Sequence, residues 1–180
     1  MTVTLPPLTL VLGGAASGKS DYAERLVAAT ARPMLYIATA QAHDAEMAAK
    51  IARHQSRRGA GWRTLETSLD TAPALDAADQ TEVVLFDCAT MWLSNHLFAE
   101  AHLPDAETRL FAALSNCAAP VVVVSNEVGA GIVPENALAR RFRQSQGELN
   151  QRLAQRADLV VTVMAGLPLV LKGRLPKGAP

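Results

Sequence analysis

The chain lacks most of what would tie it to an extracellular, membrane or polyanion-binding class. Among 180 residues there are two cysteines, Cys88 and Cys117. That is too few for a disulfide framework, and both lie in or beside apolar segments where reduced, buried thiols are expected. A reducing, cytoplasmic compartment is the corresponding expectation. No apolar run approaches the roughly 20 residues of a membrane-spanning helix. Met1-Thr2-Val3-Thr4 has no basic region, so neither a span nor a signal peptide is expected. Neither charge is in excess: 17 basic residues balance 17 acidic ones. No global field favours a polyanion, and nucleic acid is not expected as a partner. Repeats, low-complexity tracts and domain linkers are also missing. What remains is 49% hydrophobic and 19% charged, the composition of a single domain, 1–180, long enough to bury its own core.

The most informative stretch is Gly13-Gly14-Ala15-Ala16-Ser17-Gly18-Lys19-Ser20. It follows the apolar run Leu8–Leu12 and precedes a helical pattern, so the spacing G-x-x-x-x-G-K-[ST] sits between a strand and a helix, as a phosphate loop must. Backbone N–H groups of such a loop, with the positive end of the next helix, cradle phosphate oxygens. Lys19 would reach the β and γ phosphates and the Ser20 hydroxyl would ligate Mg²⁺. A second signal lies downstream, where Glu82-Val83-Val84-Leu85-Phe86-Asp87 reads as a buried strand ending in an acid. A carboxylate there orients Mg²⁺ or its water shell.

The remaining segments alternate between strand and helix patterns. Asp21–Ala29 reads as a helix, Met34–Ala38 as a strand with Thr39-Ala40-Gln41 at its carboxyl end, and Trp62–Glu66 as a short strand or an extended connector. Residues 44–58 show helical periodicity through Met47, Ile51 and His54. Lys50, Arg53, Arg57, Arg58 and Arg63 make that region basic, either a solvated face or an anion site. Short helices are expected over 72–78, 90–100 and 107–118. His96 reads as a packed core or interface histidine. Ala119–Asn126, β-branched throughout, is a strand buried on both faces. The loop from Glu127 to Asn136 sits at its carboxyl end, where α/β folds bind ligands. A long helix over 136–156 should point Leu138, Phe142, Leu149 and Leu153 inward and its arginines outward, with a bend near Gly147. Two strands, Asp158–Met164 and Leu167–Lys172, precede a fraying tail, Gly173–Pro180. The order implies a single α/β domain of the phosphate-loop NTPase (RecA-like) kind, a mainly parallel sheet flanked by helices.

Three blocks together resemble one family. They are the loop at 13–20; Tyr36-Ile37-Ala38-Thr39-Ala40 through Glu46-Met47, Ile51, His54 and Trp62-Arg63-Thr64-Leu65-Glu66; and Ser125-Asn126-Glu127-Val128-Gly129-Ala130-Gly131-Ile132-Val133-Pro134-Glu135-Asn136, continuing into the last long helix. The chain is similar to the bifunctional adenosylcobinamide kinase / adenosylcobinamide-phosphate guanylyltransferases of cobalamin synthesis. The resemblance implies phosphorylation of the corrinoid adenosylcobinamide by ATP or GTP, then transfer of GMP from GTP through a guanylylated histidine, His54. It also implies that Gly13, Gly14, Ala15, Ala16, Ser17, Gly18, Lys19, Ser20, Ala38, Thr39, Ala40, Gln55, Ser56, Arg57, Arg58, Glu66 and Asp87 hold the nucleotide. Mg²⁺ would sit at Ser20 and Asp87, and the chain would form a homo-oligomer, a trimer, with the apolar Met91–Phe98 helix as a contact surface. A neutral imidazole is a competent nucleophile toward phosphorus, and Arg57 and Arg58 could neutralise developing charge.

The pattern is broken at two positions. Ala16 stands where many relatives carry Arg, removing one phosphate or structural contact. Asp87 stands where some carry Glu, a shorter reach that metal ligation tolerates. Two other readings compete with the bifunctional enzyme: a plain small-molecule kinase in which His54 is structural, and a nucleotide-binding switch module that leaves the corrinoid untouched.

Overall fold

The computed structural model describes residues 2–41, 49 and 61–180. The helix expected over 44–58, with His54, Gln55, Ser56, Arg57 and Arg58, lies outside the described residues. Elsewhere the elements run β1 (Leu8–Gly13), α1 (Lys19–Ala28), β2 (Met34–Ala38), β3 (Trp62–Glu66), α2 (Ala72–Asp76), β4 (Val83–Asp87) and α3 (Ala89–Phe98), and then α4 (Leu103–Asn116), β5 (Val121–Asn126), α5 (Ala137–Arg156), β6 (Leu159–Met164) and β7 (Leu167–Lys172).

The seven strands form one sheet in the order β3-β2-β4-β5-β1-β6-β7. Every pairing is parallel except that of β6 with β7. β5 and β1 sit near the centre, which is why their sequences are apolar without alternation: Val121 to Val124 and Leu10 to Val11 are buried on both faces. On one face Tyr22, Leu26 and Val27 of α1 pack against Val11, Val122, Val124 and Val161. On the other, Trp92 and Leu93 of α3, Leu110 and Phe111 of α4, and Leu149 and Leu153 of α5 cover Leu10, Phe86 and Val123. Each aliphatic side chain so buried contributes about 1.5–3 kcal/mol. Among the described residues no helix is long and apolar enough to cross a membrane.

Three details differ from the sequence reading. α4 begins at Leu103 rather than Glu107, with Pro104 in its first turn, where a missing N–H costs nothing. Leu138, expected inward, is 50% exposed because the first turn of α5 projects past the core. The tail expected to fray is docked, with Leu175 and Ala179 packed on the α1 side. Gly173 permits that route: its φ is +79°, and a Cβ there would collide with the Asp158 carbonyl.

Candidate functional site

The carboxyl ends of β3, β2, β4, β5 and β1 lie side by side, and register fixes their neighbours. Glu66 pairs with Ala38, Ala38 with Asp87, and Gly13 with Asn126. At about 4.8 Å per strand, Asp87 lies roughly 10 Å across the sheet from the end of β1, and Glu66 roughly 19 Å. The edge is therefore long enough for an extended ligand anchored at one end.

At the β1 end, the strand stops at Gly13 and α1 starts at Lys19. A Cβ on Gly13 would collide with the Ser17 side chain and stand 2.7 Å from the Val163 carbonyl oxygen, so only glycine fits. Gly18, at φ +90°, caps α1 without any side-chain hydrogen bond to its first turn. A helix start of this kind, at the positive end of the helix dipole, is suited to an anion. Lys19 Nζ donates to the Gly14 carbonyl at 3.1 Å, which folds the cation back over the loop. Ala16 adopts φ +54°, a left-handed conformation that costs a residue with a Cβ about 1–2 kcal/mol. The loop also has a distant support. Gly166 N, in the turn between β6 and β7, donates to the Ser17 carbonyl at 2.8 Å, and a Cβ on Gly18 would come within 3.2 Å of the Gly166 Cα.

Toward β4 and β2 the side chains serve different purposes. Asp87 is partly exposed at its strand end, and Tyr36 donates its hydroxyl to Asp87 Oδ2 at 2.9 Å. The Tyr36 ring is itself held edge-on to Trp62, with centroids 5.8 Å apart. Thr39, in contrast, is fully buried. Its hydroxyl donates to the Cys88 carbonyl and accepts from Cys88 N, each at 2.8 Å. The Thr39 side chain is therefore committed to joining β2 to β4. Ala38 and Ala40 present only methyl and backbone groups, and Glu66 is exposed at the end of β3.

α3 ties these ends together through polar contacts that the sequence did not announce. Cys88 caps it, its sulfur accepting from Met91 N. Burial pushes the thiol up to about 12, so it is not a thiolate nucleophile near neutral pH. Thr90 Oγ1 accepts from Asn126 N at 2.8 Å. Asn95, buried, donates to the carbonyls of Thr39 at 2.8 Å and Ser68 at 2.9 Å. Trp92 Nε1 donates to the Leu69 carbonyl at 3.0 Å, and His96 Nε2 sits 3.2 Å from the same oxygen. His96 is thus the packed histidine its setting suggested, and burial holds its pKa below the usual value. No periodicity marks Thr90 or Asn95, because their partners lie 27 to 56 residues away.

The loop after β5 is also braced. Glu127 accepts from Gly129 N at 2.6 Å and Ala130 N at 3.2 Å. Asn136 caps α5. Arg143 donates to the Gly129 carbonyl, and Arg140 to those of Pro134 and Glu135. Arg152, expected outward, reaches Glu107 at 2.7 Å. Two of the arginines read as solvent-facing therefore hold this loop. Ile132 in this loop is 97% exposed.

Comparison with known proteins agrees with this architecture. A family model described as cobinamide kinase / cobinamide phosphate guanyltransferase matches residues 9–171. The chain is 44% identical to the bifunctional adenosylcobalamin biosynthesis protein CobP of Pseudomonas aeruginosa, over 91% of this chain and 96% of that protein. It is also 44% identical to the bifunctional adenosylcobalamin biosynthesis protein CobU of Salmonella typhimurium, over 92% and 99%. Among solved structures it resembles a type III secretion ATPase from pathogenic bacteria, with a TM-score of 0.56 and 9% identity, over 91% of this chain and 56% of that one. A Pyrococcus horikoshii OT3 protein gives the same TM-score and identity over 96% and 88%. These structural likenesses concern the fold alone. The family match over nearly the whole chain goes further: this protein belongs to the cobinamide kinase / cobinamide phosphate guanyltransferase family.

Proposed function

We propose that the chain phosphorylates adenosylcobinamide with ATP or GTP and then transfers GMP from GTP to the product, giving adenosylcobinamide-GDP and pyrophosphate. The observation that carries this reading is the sheet edge itself. An uncapped helix start and a lysine-bearing loop stand at one end, and a strand-end carboxylate lies about 10 Å away. Family membership supports the choice of substrates.

In the first reaction the aminopropanol hydroxyl of the corrinoid attacks the γ-phosphorus. The bridging bond to the β-phosphate breaks, the nucleoside diphosphate leaves, and the hydroxyl proton goes to solvent. Lys19 and the N–H groups of the loop bind the phosphates and offset charge as it develops. In the second, His54 attacks the α-phosphorus of GTP, an N–P bond forms and pyrophosphate leaves. The corrinoid phosphate then attacks the same phosphorus and releases the imidazole. Splitting the transfer in two lowers each barrier. Gly13 to Ser20 hold the phosphates in this proposal. Ala38, Ala40 and Glu66 serve the far end of the nucleotide, and Gln55, Ser56, Arg57 and Arg58 accompany His54. Thr39 contributes through its backbone and by fixing Cys88.

Ser20, in the first turn of α1, and Asp87 would hold Mg²⁺. Among the described residues no cluster of three or more His, Cys, Asp or Glu could hold a metal. One hydroxyl and one carboxylate suit a hard cation whose other ligands are phosphate oxygens and water. Mg²⁺ would supply charge neutralisation at the bridging oxygens. Tyr36 restrains one oxygen of Asp87 and leaves the other for that ion. The protein acts in the cytoplasm as a homotrimer. Phe98, 73% exposed, and Leu138 border an apolar groove between α3 and α5 suited to subunit contact.

Incubation with GTP labelled on the α-phosphate should give an acid-labile, base-stable protein adduct that is absent from His54→Ala. A parent protein that takes up no label would overturn the guanylyl-transfer half of the proposal.

A further inference from the structure

We propose that the side-chain carboxamide of Asn126 is a catalytic group of the phosphorylation step, donating from Nδ2 to an oxygen of the transferring γ-phosphoryl group. The inference rests on the functional reading above and adds a residue to it. β5 lies between β4 and β1, so its last residue, Asn126, stands between the strand-end acid and the phosphate loop. Gly13 is its register partner on one side, about 4.8 Å away. On the other side Asp87 pairs with Val124, two residues back, which puts the Asn126 and Asp87 Cα atoms roughly 8 Å apart. Side chains alternate along a strand, and Val11, Val124 and Leu85 all pack on the α1 face of the sheet. Gly13, Asn126 and Asp87 each follow one of these by two residues. All three therefore face the side on which the phosphate loop turns into α1.

The polar residues at this strand end are used differently. Ser125 donates to Asn150 Oδ1 at 2.6 Å, and Glu127 accepts from N–H groups of its own loop. Asn126, partly exposed, is held by its backbone: its N–H donates to Thr90 Oγ1 at 2.8 Å, and its carbonyl accepts from Asn150 Nδ2 at 2.9 Å. Asn150 is fixed in turn by the buried side chains of Ser125 and Gln146. The Asn126 carboxamide makes no hydrogen bond among the described residues. A residue clamped from α3 and α5 whose own side-chain donors stay unused is preorganised for a ligand.

The chemistry selects a γ-phosphoryl oxygen. In the proposed reaction the loop and Lys19 hold phosphates beside Gly13 and Mg²⁺ would sit at Asp87, so the group between them is the terminal phosphate. As the substrate hydroxyl oxygen bonds to the γ-phosphorus and the bridging O–P bond breaks, charge spreads over the three equatorial oxygens. The carboxamide offers one of them a donor without adding charge beside Asp87. In guanylyl transfer the bond that breaks joins the α-phosphorus to the departing pyrophosphate, so this donor matters less there.

The test compares Asn126→Ala and Asn126→Asp with the parent, using adenosylcobinamide and saturating GTP. Asn126→Ala removes the donor, and Asn126→Asp keeps the shape but puts an acceptor in its place. Both retain the backbone clamps, so thermal unfolding should match the parent. In Asn126→Ala, kcat for phosphorylation should fall about 10²-fold, the size of one oxyanion donor, with KM for adenosylcobinamide unchanged. Asn126→Asp should fall at least as far. Labelling by GTP carrying the label on the α-phosphate should fall less than about tenfold in Asn126→Ala. Should Asn126→Ala fail to fold, the shape-preserving Asn126→Asp decides by the same readouts. A phosphorylation kcat within about threefold of the parent, or an equal fall in both reactions, overturns the assignment alone. A parent that leaves adenosylcobinamide unphosphorylated overturns the functional reading and the assignment with it.

Discussion

At the β1 end of the sheet edge, one continuous stretch from Leu8 to Ala28 supplies strand, loop and helix. At the β2–β4 end, Tyr36, Thr39, Ser68, Asp87 and Asn95 come from separate segments and meet only through contacts 27 to 56 residues apart in sequence. The first region depends on backbone conformation: a glycine with no room for a Cβ, another at φ +90°, and an uncapped helix start. The second depends on buried side-chain hydrogen bonds to carbonyls. A ligand site can thus be half local motif and half tertiary clasp, and the two halves should respond to mutation in different currencies, one in rate and the other in stability.

The sharpest challenge to that contrast is Lys19→Ala. Loss of one preorganised cationic donor should slow both phosphorylation and guanylyl transfer about 10²–10³-fold, with denaturant stability changed by less than about 0.5 kcal/mol. Full guanylyl transfer in this variant would mean that the two reactions do not share one phosphate loop. Asn95→Ala should behave in the opposite way. It strands the Thr39 and Ser68 carbonyls, so urea unfolding should show a loss of about 2–4 kcal/mol. Nucleotide affinity should fall far less than in Lys19→Ala. If stability is unchanged, α3 is not the clasp.

Smaller effects refine the comparison. Ala16→Gly removes a Cβ from a left-handed residue. Thermal unfolding should show a gain of up to about 1 kcal/mol, the strain relief being partly offset by chain entropy. The weakest effect concerns Glu82, which the Arg63 guanidinium, bonding at 2.9 Å, holds below the usual carboxylate range. A depressed folded-state pKa stabilises above the unfolded value of about 4.3 and fades as pH falls through the folded one. The stability gap between parent and Glu82→Gln should therefore be full at neutral pH and shrink below about pH 4.3. It should stay near or under about 1 kcal/mol, since the Arg63 side chain is 45% exposed.

Much of the fold was legible because its signals are local. The apolar runs at Met34–Ala38, Val83–Asp87 and Val121–Asn126 became parallel strands at or within a residue or two of the expected limits. The phosphate-loop spacing placed Lys19 and Ser20 at the start of α1. Burial of an amphipathic face depends on what lies opposite, so Leu138 and Arg152 were misread: the core ends before the first turn of α5, and Glu107 stands within reach of Arg152. The docked tail escaped notice for the same reason.

By itself, then, the sequence determined the α/β alternation, the phosphate loop and the family, because each is written in contiguous spacing or whole-chain similarity. Only tertiary structure decided that the β6–β7 turn props the loop through Gly166 and that Thr39 is spent on Cys88. It likewise decided that Asn95 and Tyr36 organise the far half of the edge. Those roles arise when distant donors and acceptors are buried together, and a hydrogen bond between distant segments leaves no periodicity to read.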